Sequence, residues 1–321
     1  MAKFNSSGVV LWVSTNIGQS SMLVIENEYI YITGLSVNSS ISFGEYELSI
    51  PFFYEFAGYI AKFDTSGVFQ WAKHFGVDGW DSHVQLLDVK AVDENNIVLV
   101  GRSFTQSVPN RVYFQDAPTL IGNVNGTDDA FIVNYDSLGN VKWHDITAGD
   151  SGEWFFNSVS DSDKNIFVSG TFSGTLELDT DTLVSTGSDD VFIVAYDSLG
   201  NQLWADNAGG TGIDHSRDLI IDSSENLYLL GSTTSDPIEF GELAYNPLGS
   251  FANVFIAKLT PNDVGIEELL NQDILIELYP NPNTGTFSIR SEQNLEQLEI
   301  YNLLGEKVFE KYFSKPTKQQ E

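Results

Sequence analysis

Residues 197–204 read DSLGNQLW, and the same phrase stands at 136–143 as DSLGNVKW, at 64–71 as DTSGVFQW and at 5–12 as NSSGVVLW. Each copy ends on a Trp four residues after a Gly, and the Trp positions 12, 71, 143 and 204 set a repeating unit of roughly sixty residues. In the D-x-x-G turn the Gly supplies positive φ without steric cost, and the Asp side chain bonds the backbone amides that follow it. The phrase is a strand, a tight turn and a second strand that carries a fixed indole.

Two further strand-like segments precede it in each unit. One is YIYITG (29–34), NIVLVG (96–101), NIFVSG (165–170) and NLYLLG (226–231). It follows a half-apolar strand that ends in an acidic turn, as in VKAVDENN (89–96), VSDSDKN (159–165) and LIIDSSEN (219–226). A variable loop then leads to the third strand, GYIAKFD, AFIVNYD, VFIVAYD or VFIAKLT, and the Trp strand is the fourth. Four β-branched and aromatic strands per unit, without helical periodicity, predict an all-β chain built from four-stranded antiparallel blades of a β-propeller. Residues 2–15 supply the end of a third strand and a fourth, three complete units follow, and the last unit, about 215–260, has three strands. About four blades are visible. Because a third strand stands at both ends, the expectation is an arc cut from a longer wheel.

The units resemble the bacterial repeat family named for seven-bladed β-propellers, on Asp222, Asn226, Tyr228, Gly231, Phe240, Gly241, Phe255 and Lys258. This resemblance covers about residues 2–260 and implies a propeller; it implies little about activity. Residues 261–276 read as a linker. The segment 277–321 resembles the type A C-terminal sorting domain of the type IX secretion system of Gram-negative bacteria, a small β-sandwich-like module. Its first motif is carried by Tyr279, Pro280, Asn281, Pro282, Gly285 and Phe287, its second by Ile300, Tyr301, Asn302, Gly305 and Val308. The second motif reads as a hairpin with its turn at 303–305. Relatives continue with further strands, so the sorting domain is expected to be incomplete. The resemblance implies export, with the secretion machinery as a partner and the released or outer-membrane surface state as the destination.

Bulk composition narrows the classes. Fifteen Lys and Arg against forty-five Asp and Glu leave a formal charge of −30, which repels nucleic acid and anionic membrane surfaces. With no Cys, disulfides, thiolate metal sites and cysteine nucleophiles are excluded. No run of eighteen apolar residues predicts a spanning helix. The opening MAKFNSSGVVLW lacks a basic start with an apolar stretch behind it, so a secretory leader is expected outside this sequence.

Candidate chemistry is sparse. His83 and His215 occupy similar positions behind Asp81 and Asp214, in GWDSHVQ and GIDHSRD, and suit a metal or acid/base site on the loop face. A polar residue opening the innermost strand is the preferred reading, because the third unit has no His there. His74 and His144 are placed with them, in or beside the loops after the Trp strand. Trp80 and Trp154 fall outside the repeated Trp position, in Gly- and Asp-rich loops, and are candidates for stacking on a glycan or peptide. The four repeated Trp are assigned to core packing. Asp161, Asp163 and Asn165 form D-x-D-x-N, the opening of many calcium loops, but the sixth-position Gly and distal Glu are missing, and a plain acidic turn competes with Ca2+ there. Asp179 and Asp181 in LELDTDTL read as alternating along a strand. No other cofactor is implied. The function expected is an exported, non-catalytic binding or structural propeller with a glycan or protein ligand. A secreted hydrolase or quinoprotein-like dehydrogenase using the loop face is the alternative.

Overall fold

The computed structural model describes residues 2–13, 19–26, 28–51, 54–78, 82–104, 111–122, 127–241, 243–247, 252–259, 276–279, 288–301 and 307–320. They form antiparallel strands joined by turns, with no helix among them. The chain divides into two compact units, Met1–Asn262 and Asp263–Glu321.

The first unit opens on the hairpin β1 (Ala2–Phe4) and β2 (Val10–Val13). Blade 1 comprises β3 (Gln19–Glu26), β4 (Tyr29–Ser36), the small hairpin β5 (Ser40–Phe43) and β6 (Tyr46–Ser49), then β7 (Tyr54–Asp64) and β8 (Phe69–Asp78). Blade 2 has β9 (His83–Asp93), β10 (Asn96–Phe104), the hairpin β11 (Arg111–Phe114) and β12 (Leu120–Ile121), then β13 (Asp129–Tyr135) and β14 (Val141–Ile146), continued by β15 (Ala148–Gly149). Blade 3 is β16 (Glu153–Ser160), β17 (Ile166–Glu177), β18 (Thr182–Tyr196) and β19 (Gln202–Gly210). Among the described residues the last blade is three-stranded: β21 (Leu227–Thr233) pairs with β20 (Asp214–Ile221) on one side and with β24 (Asn253–Leu259) on the other, and the hairpin β22 (Ile238–Phe240) and β23 (Leu243–Tyr245) lies between β21 and β24 in the chain. Each blade meanders from inside to outside, as in the order β9-β10-β13-β14, which is the blade of a β-propeller.

Three devices join successive blades. The first is apolar. Ile60, Ile132 and Ile193 occupy the same place in the third strand, face the next blade and are buried, at 0%, 0% and 3% exposure. Their counterpart Ile256 is 72% exposed, since among the described residues no blade follows β24. The second is the repeated Trp. Trp71 Nε1 donates to Ser137 O at 3.0 Å and Trp143 Nε1 to Ser198 O at 3.2 Å, each in the turn of the following blade. The turn glycines Gly139 and Gly200 hold φ of 82° and 89°, and a Cβ on either would stand within 2.8 Å or 2.5 Å of the preceding blade's indole. Gly is thus required twice, by the turn and by the neighbour. The third device is strand exchange: β11 of blade 2 pairs with β8, β22 of the last blade pairs with β19, and the far end of β17 pairs with β15. A hairpin from one blade therefore extends the outer edge of the blade before it and covers hydrogen-bonding groups that an edge strand would leave open.

The second-strand glycines have their own cause. Gly34, Gly101, Gly170 and Gly231 stand directly opposite Tyr59, Phe131, Phe192 and Phe255. A Cβ on Gly170 or Gly231 would fall 2.4 Å or 2.1 Å from the aromatic ring lying over it.

In the second unit β25 (Ile276–Tyr279), β26 (Ser288–Tyr301) and β27 (Lys307–Gln320) form one antiparallel sheet in the order β25-β26-β27. Tyr301 pairs with Lys307, so the second motif is a hairpin as its sequence predicts. Pro280, Asn281, Pro282, Gly285, Phe287, Asn302 and Gly305 lie outside the described residues.

Candidate functional site

The starts of first strands and of third strands meet at one end of the blades, and there the singled-out residues converge by position. Val84, Glu153 and Asp214 are equivalent, each paired with the residue two beyond the second-strand glycine, and so are Gln85, Trp154 and His215, which come next in β9, β16 and β20. The expectation that His83 and His215 occupy similar positions is corrected: His83 pairs with Phe104, two residues nearer the strand's start than Gln85. The expectation that Trp154 sits in a loop is corrected: it is the second residue of β16, paired with Thr171, and is partly buried. It breaks the repeat only in residue type, which is why it looked unplaced. Trp80 and Asp81 lie outside the described residues. His74 and His144, expected in or beside the loops, instead belong to the Trp strands β8 and β14.

At the junction of blades 2 and 3, Asp128 bridges the two. Its Oδ2 accepts from Arg102 Nη1 at 2.7 Å and from Trp154 Nε1 at 2.9 Å, and the guanidinium lies over the indole at 4.4 Å. Cation–π stacking and a charge-assisted bond thus fix the ring. One blade on, Asp189 replaces Asp128 and His215 replaces Trp154, with His215 Nε2 3.3 Å from Asp189 Oδ2. At His83 the partner is an aromatic, Phe104, with ring centroids 5.2 Å apart. His83 and His215 are separated by β16, which packs against both β9 and β20. They do not form one site; each belongs to its own junction. Replacing Asp128 with Ala removes the acceptor shared by Arg102 and Trp154, and a thermal melt is expected to show a loss of about 1–2 kcal/mol, discounted for the partial exposure of the pair.

Beneath this rim lie buried acids. Asp214 is fully buried and accepts from the Gly210 amide at 2.9 Å and from Ser235 Oγ at 2.6 Å. Glu153 is also fully buried, with Thr147 Oγ1 3.4 Å from its Oε2. Burial, reinforced by the charge of Asp129, pushes the Glu153 carboxyl up to about 9. Asp88, in β9, accepts from the Ser158 amide at 2.9 Å and its hydroxyl at 2.8 Å, a cross-blade clamp on the innermost strands.

The D-x-D-x-N segment is the turn between β16 and β17. Asp161 accepts from Asn165 N and Nδ2, both at 2.8 Å, and Lys164 takes φ of 67°. Asp161 thus spends both oxygens on its own hairpin. Among the described residues, no group of three His, Asp or Glu side chains converges to hold a metal ion. Asp179 and Asp181 do not alternate along a strand; they sit in the turn between β17 and β18, where Asp181 accepts from Gln202 Nε2 at 2.6 Å.

The chain is similar to an uncharacterized WD repeat-containing protein of Acanthamoeba polyphaga mimivirus, 28% identical over 184 residues. That match takes in 54% of this chain and 12% of the relative, so the chain spans only a small part of that protein. No helix among the described residues is long and apolar enough to cross a membrane. Residues 277–321 match the secretion system C-terminal sorting domain, and the chain carries the tail of a secreted or cell-surface protein.

Proposed function

We propose that the protein is an exported propeller of the bacterial repeat family noted above, handed to the type IX secretion machinery by residues 277–321, and that it works outside the cell as a non-catalytic binding or structural module. The observation that carries this reading is the pairing of a sorting tail with a repeat whose polar rim is spent on joining blades. A frame of this kind presents a rigid face to a partner, and Arg102, Trp154 and His215 form the part of it best suited to a glycan or an acidic peptide, through an aromatic edge, a guanidinium and an imidazole. Cells expressing the chain with a secretory leader are expected to release or display it, whereas a variant lacking residues 277–321 accumulates in the periplasm. Equal export of both forms sinks the delivery half of the reading. For the binding half, a glycan and peptide array is expected to show a ligand whose affinity falls at least tenfold in Trp154→Ala; turnover of a bound polysaccharide or peptide that disappears in His215→Asn favours the enzymatic alternative, which the His215–Asp189 contact motivates.

A further inference from the structure

Two fully buried carboxylates from different blades meet at the junction of blade 3 and the last blade. Asp190 opens the buried part of β18 and Asp214 opens β20; both have 0% exposure. The Gly210 amide donates to Asp214 Oδ2 at 2.9 Å, and the glycine before it, Gly209, lies against the Asp190 carboxyl. Asp190 Oδ2 accepts the Thr186 amide at 2.9 Å, and Asp214 Oδ2 accepts the Ser235 hydroxyl. Both Oδ1 atoms are left: each is buried and neither has a donor. Gly209 leaves room for the pair, since a Cβ there would lie 2.1–2.5 Å from the Asp190 carboxyl.

Two buried negative charges side by side at one junction, with no Lys or Arg paired to either among the described residues, are strongly disfavoured. We propose that Asp190 and Asp214 form a proton-binding site, in which one proton taken from solvent is shared between the two Oδ1 atoms and joins the last blade to blade 3. The shared proton turns two orphan acceptors into a donor and an acceptor, as in other carboxylate dyads. The arrangement recurs one junction earlier with Asp129 and Glu153, both fully buried. It is missing between blades 1 and 2, where the buried Ala57 and Val84 take the equivalent places, so this chain contains its own acid-free junction.

The surroundings set the pH range. Asp189 is the neighbouring acid on β18 and His215 the neighbouring base on β20, and these two contact each other. From β19 the pair meets the Gly209 and Gly210 backbone; past β21 it meets the Ser235 hydroxyl, and Asp236 and Glu239 on that hairpin are exposed. Burial first, with the charges of Asp214 and Asp189 adding, pushes the Asp190 carboxyl up to about 6. The folded state therefore holds a proton that the unfolded chain releases near pH 3.8. The stabilisation is complete below about pH 4, declines as pH rises, and is lost above about pH 6.

The test compares melting of the full chain with that of Asp190→Asn and Asp214→Asn at pH 5 and pH 7.5. Because the net charge of −30 also relaxes on acidification, the decisive quantity is the difference between variant and parent at each pH. An Asn amide donates to the facing Oδ1 at any pH, so each variant is expected to melt roughly 3–5 °C above the parent at pH 7.5 and level with it at pH 5. His215→Asn, measured beside them, is expected to leave the parent's pH response between blades intact. Variants that melt below the parent at pH 7.5 overturn the proposal. So does stabilisation of the parent by millimolar Ca2+ that vanishes in Asp190→Asn, which puts a metal ion where the proton is placed here. If neither variant folds, hydrogen exchange of the β20 and β21 amides in the parent, corrected for intrinsic rate, decides: opening faster at pH 7.5 than at pH 5 supports the shared proton, and equal opening removes it.

Discussion

Phe192→Ala is expected to destabilise the junction of blades 2 and 3 by about 3–5 kcal/mol, the loss typical of a large aromatic removed from a closed core. Phe192 is fully buried and lies in one cluster with Val98, Val100 and Ile132 of blade 2 and with Phe155, Phe172 and Val194 of its own blade. Its ring meets Phe155 and Phe172 at centroid distances of 5.4 and 5.5 Å and covers Gly170, so truncation opens a cavity and uncovers a glycine in mid-sheet together. In a repeat array each blade is held mainly by its neighbours, and the loss is therefore expected as early unfolding around one junction rather than as a uniform weakening. Denaturant melts read with hydrogen exchange along β10, β13, β17 and β18 check this. A matched pair gives the control: Ile193→Ala removes a buried junction side chain, whereas Ile256→Ala, at the equivalent place in the last blade and 72% exposed, is expected to cost under about 0.5 kcal/mol.

Gly200→Ala is the second large effect, with an expected loss of about 2–4 kcal/mol from two additive sources. The residue holds φ of 89°, which a side chain resists, and the new Cβ would stand 2.5–2.9 Å from the indole of Trp143 in the blade before it. A Gly in the same φ region without a neighbour separates the two sources. Gly44 has φ of 67° and nothing within 4 Å of its ideal Cβ, so Gly44→Ala reports the backbone cost alone, about 1 kcal/mol. Equal losses at the two sites, seen in chemical denaturation, contradict the cross-blade contact.

How much of this was legible in the chain depends on distance along it. The Asp and Gly of DSLGN explain themselves within five residues: the turn amides of Leu138 and Asn140 reach Asp136 Oδ1 at 2.9 and 2.8 Å, and the Gly takes the left-handed position. Strand identity, blade order and the tail hairpin at Tyr301 and Lys307 follow from local patterns of the same kind. What stayed hidden is non-local. Trp143 and Gly200 recur at fixed positions because they touch each other across a junction, and nothing in either segment alone says so. The hairpins β11–β12 and β22–β23 lie in loops of different length and sequence, and their pairing with the previous blade has no signature to read. Trp154 was misplaced for the opposite reason. It keeps the repeat's position while changing its residue type, so a search for recurring letters assigns it to a loop, whereas the register of β16 puts it in line with Gln85 and His215. The acid pair was equally obscure, because Asp190 and Asp214 belong to different sequence phrases and meet only when one blade is laid on the next.

The central claim is that the repeated indoles of Trp71 and Trp143 each dock on the turn of the following blade. Fluorine NMR of the chain labelled with 5-fluorotryptophan tests it on six Trp signals, each assigned by single Trp→Phe replacement. Gly139→Ala alters a turn four residues before Trp143 in sequence but seated on Trp71, whose ring would lie 2.8 Å from the new Cβ. The Trp71 signal is expected to move most. A spectrum in which Trp143 alone moves, with Trp71 unchanged, means that the turn and the indole of successive units do not touch, and the stacking of blades described here is wrong.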